Sequence, residues 1–149
     1  MIASSPLKTN NILMKNRFLG FLIMIILCTS CAKNDYLPDV PVNFSSPLTD
    51  PRISSLSAPL GVVSLTGYGI AGIIIYRRAD NSYVAFDRCS TVNPEQKNAV
   101  VVQDSFTATD LKSGAKFNLN DGGAAKAPAK NPLKQYSVVV TTTTLQVTN

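Results

Sequence analysis

Short hydrophobic stretches occupy most of the chain after residue 56, and residues such as Gly, Pro, Asn and Asp separate them. Many of these stretches are rich in Val, Ile and Thr, side chains that fit well on a pleated sheet. No window of eleven or more residues has a convincing helical repeat. The pattern predicts strands at residues 62–65, 69–76, 82–86, 99–102, 106–108, 136–140 and 143–147. Such short strands separated by turns indicate an all-β fold, an antiparallel sandwich or small barrel.

The segments between these strands contain residues that are typical of turns. Residues 79–81 predict a hairpin turn between two strands, and residues 120–123 are a strong turn signal. Residues 124–132, which are small residues with lysines and prolines, predict a loop. The glycines within 69–76 are expected to permit close packing or a bulge in a buried central strand.

Four prolines between residues 32 and 51 exclude a helix there and favour extended backbone. Val40, Val42 and Phe44 occupy alternate positions, which predicts a half-buried edge strand. We therefore divide the chain into three parts. Residues 1–30 are a leader, residues 31–50 are a tether that ends in a first strand, and residues 51–149 are one β-domain.

The leader has the composition of a secretory signal peptide. Lys15 and Arg17 precede an unbroken apolar run, residues 18–28, and the small residues Thr29 and Ser30 follow. A helix of this length would reach only about 16 Å, roughly half of a bilayer core. Met14 is the expected start of the signal, because Met14–Arg17 already forms a short basic region.

The end of the leader, residues 27–31, resembles a bacterial lipobox in which Cys31 becomes the acylated first residue of the mature protein. The family pattern prefers Leu three residues before that cysteine, whereas Leu27 lies four before it and Cys28 takes the preferred place. The resemblance implies a lipid anchor in the membrane. Ala32 is not the Asp that retains lipoproteins at the inner membrane, so the outer membrane is favoured. The alternative is an ordinary signal peptide cleaved near Ser30, which leaves a soluble periplasmic protein.

Charge and composition argue against several functions. The net charge is +5, but three basic residues and no acidic ones lie in residues 1–30, which leaves +2 for the remainder. The remaining basic residues are scattered, so nucleic acid is not an expected partner. The chain has no histidine, which excludes Ser-His-Asp and Cys-His relays and His-based zinc sites. We predict no enzymatic activity and no metal site. Cys89 alone remains beyond Cys31, so no internal disulfide is expected.

The order of four motifs resembles that of a Rieske iron–sulfur domain. Residues 85–91 include Cys89-Ser90-Thr91, where that family has its first ligand pair, Cys-x-His. Residues 110–117 correspond to its Cys-x-x-His-Gly-Ser-x-Phe motif, and a Pro-Leu-Lys-x-Tyr segment follows at residues 132–136 after the turn at 121–123. The resemblance covers roughly residues 40–148. It implies stacked antiparallel sheets with a smaller subdomain that holds the cluster.

The same resemblance implies that the cluster ligands are missing. The two thiolate positions fall on Cys89 and Asp110, and the two imidazole positions fall on Thr91 and Ser113. Hydroxyls and a carboxylate are poorly matched to a sulfide-bridged iron pair. We therefore expect these four positions to be vacant and no [2Fe–2S] cluster to be bound.

A domain with this fold but no cluster leaves three functional hypotheses. The first is a non-enzymatic envelope lipoprotein that serves as a scaffold or binding module for an envelope protein partner, through the loops at residues 88–97 and 110–116. The second is an iron–sulfur electron-transfer or oxygenase-associated protein, which the missing ligands disfavour. The third is a carrier of a small ligand in the interior of the sandwich.

Overall fold

A computed structural model describes residues 37–149, and the structure there consists of two antiparallel sheets. The predicted signal peptide, Cys31 and most of the tether lie outside the described residues. The strands are β1 Asn43–Pro47, β2 Val62–Leu65, β3 Ile73–Arg77, β4 Tyr83–Asp87, β5 Val101–Val102, β6 Thr107–Thr109, β7 Lys116–Asn118, β8 Ala124–Lys126, β9 Gln135–Val140 and β10 Thr144–Thr148. One sheet has the order β1-β10-β9-β4-β3-β2 and the other β5-β6-β7-β8. The prediction of an all-β antiparallel fold is confirmed.

The large sheet contains the hairpins that the sequence predicts. β3 and β4 pair in register from Ile73↔Asp87 to Arg77↔Tyr83, and β9 pairs with β10. The turn between β3 and β4 places Asn81 at a φ of 68°, which an Asn tolerates. β1 pairs with β10, so the strand at the end of the tether completes one edge of this sheet.

The interior strand β3 is buried on both faces, and its alternate side chains enter two different hydrophobic cores. Ile73 and Ile75 pack with Phe44, Leu145 and other side chains on one face of the large sheet. Ile74 and Tyr76 point to the opposite face, where the small sheet covers them with residues such as Phe117. This two-sided burial explains why β3 is an unbroken apolar run rather than an alternating one.

Two sequence predictions about local structure are wrong in detail, and one strand has no predicted counterpart. The strand predicted at 69–76 begins only at Ile73, because Gly69 and Gly72 adopt positive φ values and form a turn before it. The loop predicted at 124–132 contains β8, whose three residues are exposed and lack any alternation. β7 has no counterpart among the predicted strands, because Phe117 is its only hydrophobic residue.

Two short 3₁₀ helices, Pro51–Ser57 and Pro94–Gln96, interrupt the strands. The first begins at Pro51 because Asp50 caps it by accepting the N–H of Arg52, and it buries Ile53 and Leu56 against the large sheet. Proline at the first position of a helix is favourable. Within residues 37–149, no helix is long and apolar enough to cross a membrane.

Candidate functional site

The loop that follows β4 carries the first pair of predicted ligand positions. Cys89 is fully buried, and its backbone N–H donates to Oδ1 of Asp87 at 2.7 Å. An isolated bridge between Cys89 and Ala99 closes the loop. The Cys89 Sγ faces the carbonyl oxygens of Ser90 and Pro94, at 3.7 and 3.9 Å.

The surroundings of Cys89 disfavour a thiolate. Burial raises the pKa of the Cys89 thiol to about 11, and the negative charges of Asp87 and Asp110 act in the same direction. Lys97 opposes them with a smaller effect than that of Asp87. The thiol is therefore protonated at neutral pH in the metal-free protein, so it is a poor nucleophile, and a metal ion would have to displace its proton to bind.

The loop after β6 carries the second pair, Asp110 and Ser113. Asp110 is buried, and three donors of its own loop contact its carboxylate. The Ser113 hydroxyl donates to Oδ2 at 2.7 Å, and the backbone N–H groups of Lys112 and Ser113 donate to Oδ1 at 2.9 and 3.4 Å. These bonds form a tight turn in which the two predicted ligand positions are bonded to each other.

The pKa of Asp110 reflects both burial and hydrogen bonding. Burial alone would raise this pKa, but the hydrogen bonds from Ser113 and Lys112, together with a smaller effect of the Ser90 hydroxyl, more than offset it, so the pKa is lowered. The Ser90 contribution is smaller than those of Ser113 and the Lys112 N–H. Asp110 is therefore ionised at neutral pH and is held by the donors of its own turn.

Thr91, the fourth predicted ligand position, is hydrogen-bonded to a different segment of the chain. Its hydroxyl donates to the carbonyl oxygen of Asn131 at 2.8 Å, which connects the first loop to the segment before β9. Each of the four predicted positions is thus a protonated thiol or a group already hydrogen-bonded within the protein. Among residues 37–149, no group of three or more His, Cys, Asp or Glu side chains has an arrangement that would hold a metal ion. The residues present do not fit a [2Fe–2S] cluster.

Asp87, a buried carboxylate beside this region, is not among the site residues that the sequence predicts. Asp87 is fully buried, and four donors converge on it. They are the N–H groups of Ile70 at 2.7 Å, Ala71 at 3.3 Å and Cys89 at 2.7 Å, and the hydroxyl of Tyr136 at 2.7 Å. Asp87 therefore fixes the turn before β3, the start of the Cys89 loop and the first part of β9 at one point.

Gly69 and Tyr136 are adapted to this carboxylate. Gly69 has a φ of 62°, and a Cβ at this position would collide with Oδ2 of Asp87 and lie 2.8 Å from the Tyr136 hydroxyl. Burial and the hydrogen bond to Asp87 raise the pKa of Tyr136 well above its usual value. The hydroxyl remains a donor to Asp87 over the whole physiological pH range. A charged residue at the end of an apolar strand was the available sequence signal for this site.

The surface of the second loop carries an exposed apolar side chain next to a basic one. Leu111 is 67% exposed, and the neighbouring Lys112 is also exposed. Lys97 is exposed in the first loop and lies close enough to Cys89 to affect its pKa, while Glu95 is the exposed acidic residue of that loop. Asp110 also affects the pKa of the Cys89 thiol, so the two predicted loops lie near each other.

A shallow groove lies elsewhere on the large sheet. β4 and β9 pair through Ala85↔Tyr136 and Phe86↔Gln135, and the pairing ends there. Beyond these pairs a groove of about 530 Å³ opens, and its lining is more polar than apolar. The lining residues are Arg78, Tyr83, Val84, Gln135, Tyr136, Ser137 and Val138.

Comparisons with known proteins yield similarities of fold. No protein-family model and no curated protein matches the chain. A chain of the complex of reduced oxygenase and oxidized ferredoxin in carbazole 1,9a-dioxygenase is 21% identical, with a TM-score of 0.46 over 60% of this chain and 90% of that chain. The Sphingomonas yanoikuyae B1 ferredoxin is 18% identical, with a TM-score of 0.40 over 52% and 74%. A protein named as an NADH-dependent nitrite reductase small subunit from Mycobacterium tuberculosis is 16% identical, with a TM-score of 0.42 over 74% and 97%.

Proposed function

We propose that this protein is a non-enzymatic, lipid-anchored envelope protein whose β-domain binds another protein through the loops at residues 88–97 and 110–116. The observation that carries the proposal is the hydrogen-bonded network at the four predicted ligand positions. Its bonds hold the second loop at Asp110 and the first loop at Cys89 and Thr91, and the exposed Leu111 lies on the second loop. A loop held in this way loses little conformational entropy on binding.

The chemistry of the loop surface indicates the kind of partner. Leu111 supplies an apolar contact. The exposed Lys112 and Lys97 give the loop surface a positive charge, and Glu95 balances only part of it. Asp110 does not add to the surface charge, because it is buried. The proposed partner is an envelope protein with an acidic surface around an apolar depression. The Cys31 lipid would keep the domain within reach of such a partner at the membrane.

Site-specific photo-crosslinking in cells tests the proposal. A photoreactive amino acid replaces Leu111 in the full, exported chain, and the control places it at Val139, which is 55% exposed on β9. We expect a discrete cross-linked partner from position 111 and none from position 139. A Lys112→Glu exchange combined with the probe at position 111 is expected to lower the yield, because it opposes an acidic partner.

Two results would contradict the proposal. One is the absence of any cross-linked protein from position 111 in cells that contain the correctly exported chain. The other is the same set of cross-linked proteins from positions 111 and 139, which would indicate random collisions.

A further inference from the structure

The two ends of the small sheet carry side chains of opposite charge. Asp104 lies in the turn between β5 and β6, and Asp121 lies in the turn between β7 and β8, so both are at one end. The turn between β6 and β7 and the exit from β8 are at the other end, because neighbouring strands are antiparallel. The lysines at that second end are Lys112, Lys116, Lys126 and Lys130.

The carboxylates of the small sheet leave these lysines without a counter-charge. Asp110 lies at the same end, but it is buried and accepts the donors of its own turn. Asp104 also accepts donors of its own turn, and Lys116 has the smallest of the effects that lower its pKa. Within residues 37–149, none of the four lysines is in an ion pair. Their charge is therefore available to an anion from outside the domain.

Two of the lysines face each other across the sheet. Lys116 of β7 is the register partner of Lys126 on one side and of Thr109 of β6 on the other, and the register shifts directly after the Lys116–Lys126 pair. Ala108 and Phe117 lie in the core between the sheets, so their neighbours Thr109 and Lys116 lie on the outer face. Residues directly opposite each other share a face, and like charges placed in this way repel.

The Thr109 hydroxyl is an independent feature of the same row. Thr109 is only 8% exposed, and its buried Oγ1 has no hydrogen-bond partner in the part of the chain that the structure describes. Buried hydroxyls nearly always have a partner, since an unpaired one costs free energy. The neighbouring Lys116 has a flexible side chain whose movement can admit a ligand, and the hydroxyl can donate to an anion there.

We infer that Thr109, Lys116 and Lys126 form a binding site for a phosphate group. A phosphate monoester has a charge of about −1.5 to −2 at pH 7, which two ammonium groups match, and its oxygens can accept hydrogen bonds from both lysines and from the hydroxyl. A carboxylate has one charge and two oxygens, so it matches the row less well. Lys112 and Lys130 add positive charge nearby. This site lies beyond the proposed function, because it needs neither a protein partner nor the lipid anchor.

Titration of the full chain with inorganic phosphate tests the site. The chain is held in micelles of an uncharged, phosphate-free detergent at constant ionic strength, and its amide NMR signals are followed. We expect saturable shifts at Thr109, Lys116 and Lys126, and no such shifts with acetate. Lys126→Gln should weaken phosphate binding by about tenfold and Thr109→Val, which keeps the side-chain shape, by about fivefold, because each removes one donor to the ligand.

The matched control is Lys134→Gln, which removes the same charge beside the large sheet. It should change the affinity by less than about twofold, because a distant charge is screened. Shifts that do not saturate, equal shifts with acetate, or equal weakening by Lys126→Gln and Lys134→Gln would overturn the site, since each indicates only general attraction of anions. An affinity that Thr109→Val leaves unchanged would overturn it as well.

Two phospholipids distinguish a lipid headgroup from free phosphate as the source of the ligand. Phosphatidic acid has a phosphate monoester and phosphatidylglycerol has a diester, and each is added to the micelles in turn. Stronger shifts with phosphatidic acid than with inorganic phosphate at equal concentration would support a lipid headgroup, and shifts with inorganic phosphate alone would support the free ion. Equal shifts with the two phospholipids would overturn the site, because they would show a response to any anionic surface.

Discussion

The Ser113 hydroxyl donates a hydrogen bond of 2.7 Å to Oδ2 of Asp110. The resemblance to Rieske domains assigns an imidazole to the first of these positions and a thiolate to the second. In this protein the two side chains bond to each other within one turn, in which the Asp110 carboxylate is buried. The two positions that the resemblance assigns to cluster ligands therefore have a structural role in this protein.

The lowered pKa of Asp110 makes its contribution to stability dependent on pH. A carboxyl group whose pKa is lower in the folded state stabilises the fold above its unfolded pKa of about 3.9, and this contribution disappears as the pH falls through the folded pKa. We expect Asp110→Asn to be less stable than the unsubstituted protein at pH 7, and the difference should shrink below about pH 4. Urea unfolding at several pH values measures it. A difference that is constant with pH would show that the charge of Asp110 does not matter.

Cys89 is expected to be unreactive in the folded protein. A rise of its pKa from 9.0 to about 11 lowers the thiolate fraction at neutral pH by about a hundredfold, and burial of the thiol slows the reaction further. Alkylation by iodoacetamide, followed residue by residue by mass spectrometry, should be at least about a hundredfold slower for Cys89 in the native than in the unfolded protein. Comparable rates would contradict the burial of Cys89.

Tyr136→Phe tests the buried Asp87 centre. The exchange removes one of four donors to a buried carboxylate, so we expect a loss of about 2 kcal/mol in the free energy of unfolding. Tyr83→Phe is the matched control, because the Tyr83 hydroxyl makes a 3.5 Å contact to the Leu56 carbonyl and is partly exposed. Its cost should be below about 0.5 kcal/mol. Equal losses for the two variants in denaturant unfolding would contradict the role given to Asp87.

Acylation of Cys31 predicts the location of the protein. The unsubstituted chain should partition with membranes, and Cys31→Ser should not carry the lipid. Fractionation and mass spectrometry of the N-terminus measure both. A Cys31→Ser variant that stays with membranes to the same extent would contradict a lipid anchor at this residue.

The strands that the sequence predicts well are those with strong local patterns. The hairpin of β3 and β4 combines β-branched residues with a recognisable turn, and the terminal hairpin of β9 and β10 is rich in Val and Thr; the structure has both. β8 was missed because Ala124–Lys126 is exposed on all three residues, so its strand conformation depends on pairing with β7. Tertiary pairing of this kind leaves no periodicity in the sequence.

The site was predictable in position but not in its interactions. The resemblance implies that the loops of Cys89 and Asp110 are neighbours, and in the structure Asp110 lies close enough to Cys89 to raise the pKa of its thiol. The centre at Asp87 was not predicted, because its donors at Ile70, Cys89 and Tyr136 are far apart in the sequence. Backbone N–H groups occur at almost every residue, so only the path of the folded chain decides which of them reach one carboxylate. A pattern of residue types does not reveal that path.

The expectation that no [2Fe–2S] cluster is bound is tested most directly by the iron and labile sulfide content of the full chain, purified from cells with active cluster assembly. A [2Fe–2S] ferredoxin produced in the same cells is the positive control. Because the four positions are engaged in the protein's own hydrogen bonds or held as a protonated thiol, we predict a folded, colourless protein with no iron or sulfide above background. Two irons and two sulfides per chain with a visible absorption band would contradict the account.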